Sequence, residues 1–404
     1  MNKQERYHSL DVVRAGALLL GIVLHATVSF WPGFREANYP VSDDYSSPIL
    51  SGLYFIIHIF RMSLFYAIAG FFAHAMLVRL GLAGFVKNRL RRIALPFVVS
   101  LVICLPLIIV AYLWAQRQLG ITGVPNLSPP IPDPKLPPWG HMWFLYLLLV
   151  FYALWLSGRA LLAVVDRRGS IPNLVERALG VLVASRAGPI VLAAPAAVSL
   201  YYAPWWIPWQ GIPQPIMGFI PNFPAVVAFG AAFGFGWFLH RRPDWLEKLK
   251  RDWVVYLLSA AALTIASMAL VGASPQLHVP VTTPMERALF SAAYNVAGWY
   301  WIFGLIGAAV RFLDQPSVRW RYLADASFFV YIMHLPVSYL LATLMMRWPL
   351  HWSVKFTLIA GLTTGVTLTM YHYLVRSTFV GQFLNGRKYP RTVSCADWAK
   401  PAAP

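Results

Sequence analysis

The 404 residues are 58% hydrophobic and only 12% charged, about half the charged share of a soluble domain, which excludes a large water-soluble unit and predicts an all-α polytopic membrane protein. The formal net charge of +18 is spread between apolar runs of membrane-spanning length, so it reads as a topology signal and excludes a nucleic-acid-binding surface. Two cysteines, Cys104 in an apolar run and Cys395 near the C-terminus, exclude a disulfide framework and a cysteine-based metal site.

About ten spans are predicted, near residues 10–31, 49–78, 93–114, 140–163, 188–207, 222–239, 253–272, 288–312, 325–346 and 353–375. The first follows a short basic start. It is too long for a signal-peptide core and lacks a small-residue cleavage site, so it reads as a retained helix. It carries Asp11, Arg14 and His25. Arg14 and His25 are about three helical turns apart and project from nearly the same face. Asp11 lies one turn before Arg14 and is placed to pair with it. Ionisable groups are costly in hydrocarbon, so this stripe points into a protein interior or a cavity. The second span holds His58 and Arg61 one turn apart on a shared face. After it, Lys87-Asn88-Arg89-Leu90-Arg91-Arg92 gathers Arg89, Arg91 and Arg92 at the membrane surface. Guanidinium groups pair well with phosphate oxygens; plain positive anchoring is the alternative.

The loop over 116–139 contains Pro129-Pro130-Ile131-Pro132-Asp133-Pro134 and Pro137-Pro138-Trp139, a run that favours extended backbone over helix. The fourth span opens on His141-Met142-Trp143. Asn173 to Leu182 has the pattern of an amphipathic helix on a membrane surface, with a linker as the alternative. Residues 201–224 combine Tyr201, Tyr202, Trp205, Trp206 and Trp209 with prolines and contain no Lys, Arg, Asp or Glu. Such rings suit stacking on sugars, or serve as an interfacial belt. His334 falls mid-span, in Tyr331-Ile332-Met333-His334-Leu335-Pro336. Residues 1–376 read as one transmembrane domain and 377–404 as a tail. No internal repeat is visible, which weakens the inverted-repeat transporter architectures.

With the N-terminus taken as cytoplasmic, 25 of the 33 Lys and Arg fall on that side and 6 on the other. This skew predicts both termini in the cytoplasm. His25, His58, Arg61, His141 and His334 then share a depth in the outer half. Carboxylates are scarce there: only Asp11 and Asp325 enter spans, both near the cytoplasmic end. A catalytic carboxylate pair for glycoside hydrolysis lacks its parts, as does a buried proton relay through Asp or Glu. The histidines also lack zinc-type spacing such as His-x-x-x-His, so no metal is expected. What remains is a histidine general base with cationic helpers. No Gly-x-Ser-x-Gly elbow is present, and an activated donor such as a thioester needs no covalent serine or cysteine.

Taken in order, Arg14 with His25, His58-Ile59-Phe60-Arg61-Met62, Ala69-Gly70-Phe71-Phe72, Arg89 to Pro96, His141 to Leu145 and Ala326 to Pro336 resemble the acyltransferase-3 family of integral membrane acyltransferases. The closer resemblance is to the branch associated with succinylating periplasmic glucans. That resemblance implies a bacterial inner-membrane protein, an acyl-CoA donor on the cytoplasmic side and a glycan acceptor outside. It implies His25 as the catalytic base, with Arg14, Arg89 and Arg92 serving donor binding or site structure. Met142 stands where the branch commonly has leucine.

The expected function is O-acyl transfer, succinyl in that branch, from coenzyme A to a hydroxyl of an extracytoplasmic glucan. His25 would be the base, and Arg61, with His58 or His334, would steady the oxyanion. His141, Trp143, Trp205 and Trp206 are the candidate acceptor-binding residues. Partners would be the donor, the glycan and membrane lipid, with no resident cofactor. The alternatives are acetyl transfer to another surface polysaccharide, or export of a glycan or acylated metabolite.

Overall fold

The computed structural model describes residues 7–122, 136–272, 274–385 and 389. Pro129 to Pro134, Cys395 and most of the tail after residue 385 lie outside the described residues. Twelve α-helices follow one another among the described residues. The first six are α1 (His8–Val28), α2 (Pro48–Arg89), α3 (Leu95–Leu119), α4 (Trp143–Val165), α5 (Ser170–Ala184) and α6 (Gly188–Tyr201). The others are α7 (Phe223–Arg241), α8 (Asp244–Val271), α9 (Pro284–Phe312), α10 (Val318–Met345), α11 (Trp352–Met370) and α12 (Phe379–Asn385). Extended pairing among them is limited to one isolated bridge, Pro138 to Met217. The all-helical architecture follows from spanning a bilayer, where each backbone group must find its partner within its own segment.

Eight helical stretches among the described residues are long and apolar enough to cross a membrane, or nine if the bent pair α5 and α6 forms one span. The expected ten is not reached by length and composition, for two reasons. First, residues 48–119 count once, as a 72-residue stretch. A π-helical turn at Leu90–Ala94 joins α2 to α3, and the break expected there falls earlier, inside α2, where Gly81 leaves helical geometry (φ 67°, ψ 178°). The stretch nevertheless returns on itself: Leu50 near its start and Ala111 and Ala115 near its end share one buried cluster with Ala26 and Phe30. Second, α6 has only 14 residues, about 21 Å of rise, against a hydrocarbon thickness of about 30 Å. The segment read as amphipathic helix or linker is helix α5, and α6 leaves it at a bend of 116°.

α8 lies along α9, α2 along α7, and α1 along α10, while α1 also touches α2, α9 and α11. Small residues permit the closest approach. A Cβ on Gly70 would fall 2.0 Å from the Phe233 carbonyl oxygen, and one on Gly236 would fall 1.7 Å from that of Ala67. Backbone therefore packs on backbone between α2 and α7, as in small-residue membrane interfaces. The bundle has two unlike ends. At one, the segments 29–47, 136–142, 202–222 and 274–283 converge: Trp31 lies 6.4 Å from Trp209, the Trp139 N–H donates to the Ile216 carbonyl at 2.7 Å, and Gly33 faces Leu277. At the other, ion pairs join Arg241 to Glu176 and Arg186 to Asp252, each at 2.8 Å.

Candidate active site

α1, α2, α10 and the turn before α4 bring His25, His58, Arg61, His141 and His334 into one cluster. The His25 and His334 rings have centroids 5.2 Å apart, and those of His141 and His334 are 5.7 Å apart. Gly21, one turn before His25, lets α1 approach: a Cβ there would fall 2.5 Å from Arg61 Nη1 and 3.4 Å from His334 Nε2. His58, Arg61, His141 and His334 are buried, whereas His25 retains partial exposure. Among the described residues no carboxylate pairs with Arg61, and its Nε has no hydrogen-bond partner. No group of three or more His, Cys, Asp and Glu among those residues is arranged to hold a metal ion.

Local sequence sets the histidine orientations. Pro336 lacks an N–H and so leaves the Ile332 carbonyl, four residues earlier in α10, without its helical donor. His141 Nε2 donates to that carbonyl at 3.0 Å, and Cys104 Sγ approaches it at 3.4 Å. The Tyr331 hydroxyl returns a bond to the His141 carbonyl at 2.6 Å. His334 Nδ1 donates to the Tyr331 carbonyl at 2.6 Å. In the neutral ring this leaves His334 Nε2 as an acceptor, and that atom is buried without a partner among the described residues. A neutral His334 therefore cannot donate from Nε2, and it does not fit the oxyanion-steadying role expected of it.

His58 is held from two sides. Its ring stacks on Tyr54, one turn earlier, at 5.1 Å between centroids. Gln214, from the uncharged aromatic loop, places its Nε2 at 2.8 Å from His58 Nε2. The amide donates there, so the neutral ring carries its proton on Nδ1, which has no partner among the described residues. Sequence reasoning missed Gln214 and Tyr54. Tyr54 was within reach, since it continues the α2 face of His58 and Arg61. Gln214 had only the weak signal of an amide between Pro213 and Pro215.

The arginine end is arranged differently. Arg14 pairs with Asp11 at 3.1 Å and lies over the Phe72 ring at 5.3 Å. Arg89 donates to the Tyr152 hydroxyl at 3.2 Å and to Met76 Sδ. Phe72 and Met76 are on successive turns of α2, so Arg14 and Arg89 contact the same face of that helix. Arg92 lies within electrostatic range of Arg89, while Arg91 is exposed.

Two of the candidate acceptor-binding tryptophans are closed off. Trp143 and Trp206 are each 4% exposed. Trp143 packs against Phe229, and Trp206 donates from Nε1 to the Gly211 carbonyl at 2.7 Å. Trp143 is spent on packing, whereas Trp206 turns inward with the aromatic loop, which forms a plug with Trp209 fully buried, and edges the cavity beneath it. Trp205, 40% exposed, keeps an open surface. In the described part of the proline run Pro138 bridges Met217, and the Gly218 N–H donates to the Pro137 carbonyl at 3.1 Å.

The chain is similar to curated proteins named glucans biosynthesis protein C. It is 29% identical over 155 residues to those of Escherichia coli strain K12 and Shigella dysenteriae serotype 1, covering 37% of this chain and 38% of each relative. The match thus spans about two fifths of the relatives' length. No solved structure matches. The model of the acyltransferase domain of the acyltransferase-3 type matches residues 7–372, nearly the whole chain. On that extent of match, and with the Arg14–His25 helix at the centre of the bundle, the chain belongs to the acyltransferase-3 family.

Proposed function

We propose that the protein is a transmembrane O-acyltransferase that takes an acyl group from acyl-CoA at the arginine end and transfers it to a glycan hydroxyl at the aromatic-loop end. Arg61 carries this reading: a buried guanidinium with no carboxylate partner among the described residues is a waiting site for negative charge. In the proposed step the acceptor oxygen attacks the thioester carbonyl carbon while its proton passes to His25. Negative charge develops on the carbonyl oxygen beside Arg61 and the Nδ1–H of His58. Collapse breaks the carbon–sulfur bond, the ester forms, and the leaving thiolate recovers the proton from the His25 imidazolium. His25 suits the role because, unlike the other three histidines, it remains accessible.

Arg14, Arg89 and Arg92 would hold the coenzyme's phosphates, and its pantetheine arm would reach about 16 Å along α1 toward His25. The charge skew supports an inner-membrane location with both termini cytoplasmic. The names of the relatives favour a periplasmic glucan as acceptor and succinyl as the acyl group. Cells whose only copy is His25→Ala should insert the protein yet carry unacylated glycan by mass spectrometry. Full acylation in those cells would overturn the mechanism. Failure of purified protein to bind coenzyme A would favour an exporter instead.

A further inference from the structure

A cavity of about 170 Å³ lies at the aromatic-loop end, bounded by residues 203–208, by Leu270, Val271, Gln276 and residues 279–282, and by the first turns of α9. It is separate from the histidine cluster. One wall is apolar, with Trp206 and Phe290 at 5.1 Å between ring centroids. The polar part of the lining is Gln276, Thr282, Glu286 and Arg287. Glu286 is already engaged, accepting from the Thr283 N–H and hydroxyl at 2.8 and 2.9 Å. Gln276 is half engaged: its Nε2 donates to the Val271 carbonyl at 3.2 Å, while its Oε1 is buried without a partner among the described residues. Arg287 reaches only the Thr282 hydroxyl, at 3.5 Å, and no carboxylate among those residues pairs with it.

The cavity therefore offers an aromatic wall, one orphaned acceptor and one under-used planar donor. That combination suits a sugar ring, whose C–H face packs on aromatic carbon while its hydroxyls both donate and accept. A phosphate or a metal ion would leave the Gln276 oxygen or the Arg287 cation ill matched. The space holds on the order of ten waters, enough for one ring and too little for a chain. It is also coupled to the reaction centre. Phe290 packs on Tyr294 at 5.7 Å, and a Cβ on Gly211 would meet both the Tyr294 hydroxyl and His58 Nδ1, at 2.2 and 2.4 Å.

We propose that this cavity is an acceptor subsite that takes one sugar ring of the glycan, with Arg287 and Gln276 as its hydrogen-bonding residues. The proposal rests on the acyltransferase reading, and the test separates the two. Purified protein in nanodiscs is titrated with a glucose oligosaccharide, followed by tryptophan fluorescence, and is then assayed for acyl transfer from acyl-CoA to the same oligosaccharide. Arg287→Ala and Gln276→Ala should each weaken oligosaccharide binding and raise its KM about tenfold, leaving the KM for acyl-CoA unchanged, and Arg287→Lys should recover part of the loss. Binding that weakens in both variants without any transfer activity would support the subsite while refuting the acyltransferase reading. Equal binding in all forms, or none to the unmodified protein, would overturn the subsite even if transfer proceeds.

Discussion

Lys355 and Arg61 are both buried cations, and the protein treats them in opposite ways. Lys355 is fully buried at the start of α11. It donates to both oxygens of Asp43 at 2.9 and 2.8 Å and to the Met346 carbonyl at 3.2 Å, with the Tyr45 ring 5.0 Å away. Arg61, 8% exposed, has histidines, tyrosines and Gly21 around it and no carboxylate among the described residues. Lys355 ties the 29–47 segment to α11 and has no valence to spare. Arg61 is under-supplied, and a charge left so inside a bundle needs an occasional partner to justify its desolvation.

Substitutions at these two positions are the sharpest way to break the contrast. Lys355→Met strands the Asp43 carboxylate and should cost about 3–5 kcal/mol, seen as a large fall in Tm in detergent. The double change Asp43→Asn with Lys355→Met should recover most of that loss. Arg61→Met should do the reverse: kcat falls by about 10²–10³ while Tm holds or rises. A fall in Tm as large as that of Lys355→Met would make Arg61 a structural cation and erase the distinction. Next in size, Arg89→Ala should raise the KM for acyl-CoA about tenfold with little change in kcat, since Arg89 lies far from His25.

The smallest effect should come at the loop between α4 and α5. Asp166 accepts from the Ile171 and Ser170 N–H groups, and these bonds hold its carboxyl below its ordinary value of 3.8. Its contribution is therefore present above pH 3.8 and is lost as the pH falls through the lowered value. Asp166→Ala should slightly reduce Tm at pH 7 and abolish that acid-dependent part. An Asp166→Ala protein with the same acid profile as the unmodified one would remove Asp166 from the account.

Much of this was legible along the chain. Arg14 and His25 share a face by helical period alone, and Asp11 does pair with Arg14. His58 with Arg61, one turn apart, was equally readable. The rest failed for identifiable reasons. The aromatic loop reads as an open sugar platform because composition cannot distinguish a ring facing water from one facing the bundle; Trp206 and Trp209 turn inward. Hydropathy places the break between the second and third spans at Lys87 to Arg92, whereas the backbone runs on through a π-helical turn there and leaves helical geometry at Gly81 instead. Lys355 gave no warning, since its partner Asp43 is more than three hundred positions away.

Hydrophobic periodicity and charge asymmetry, both local or additive properties, were enough to determine an all-helical membrane bundle with an ionisable stripe on its first helix. The tertiary structure alone decided which groups are satisfied. Pro336 frees a carbonyl that orients His141, Gln214 reaches across from a loop to set His58, and Arg61 is left without a counter-ion among the described residues. Each depends on contacts between segments distant in sequence, and hydrogen-bond satisfaction in a bundle is a property of those contacts and of no single helix.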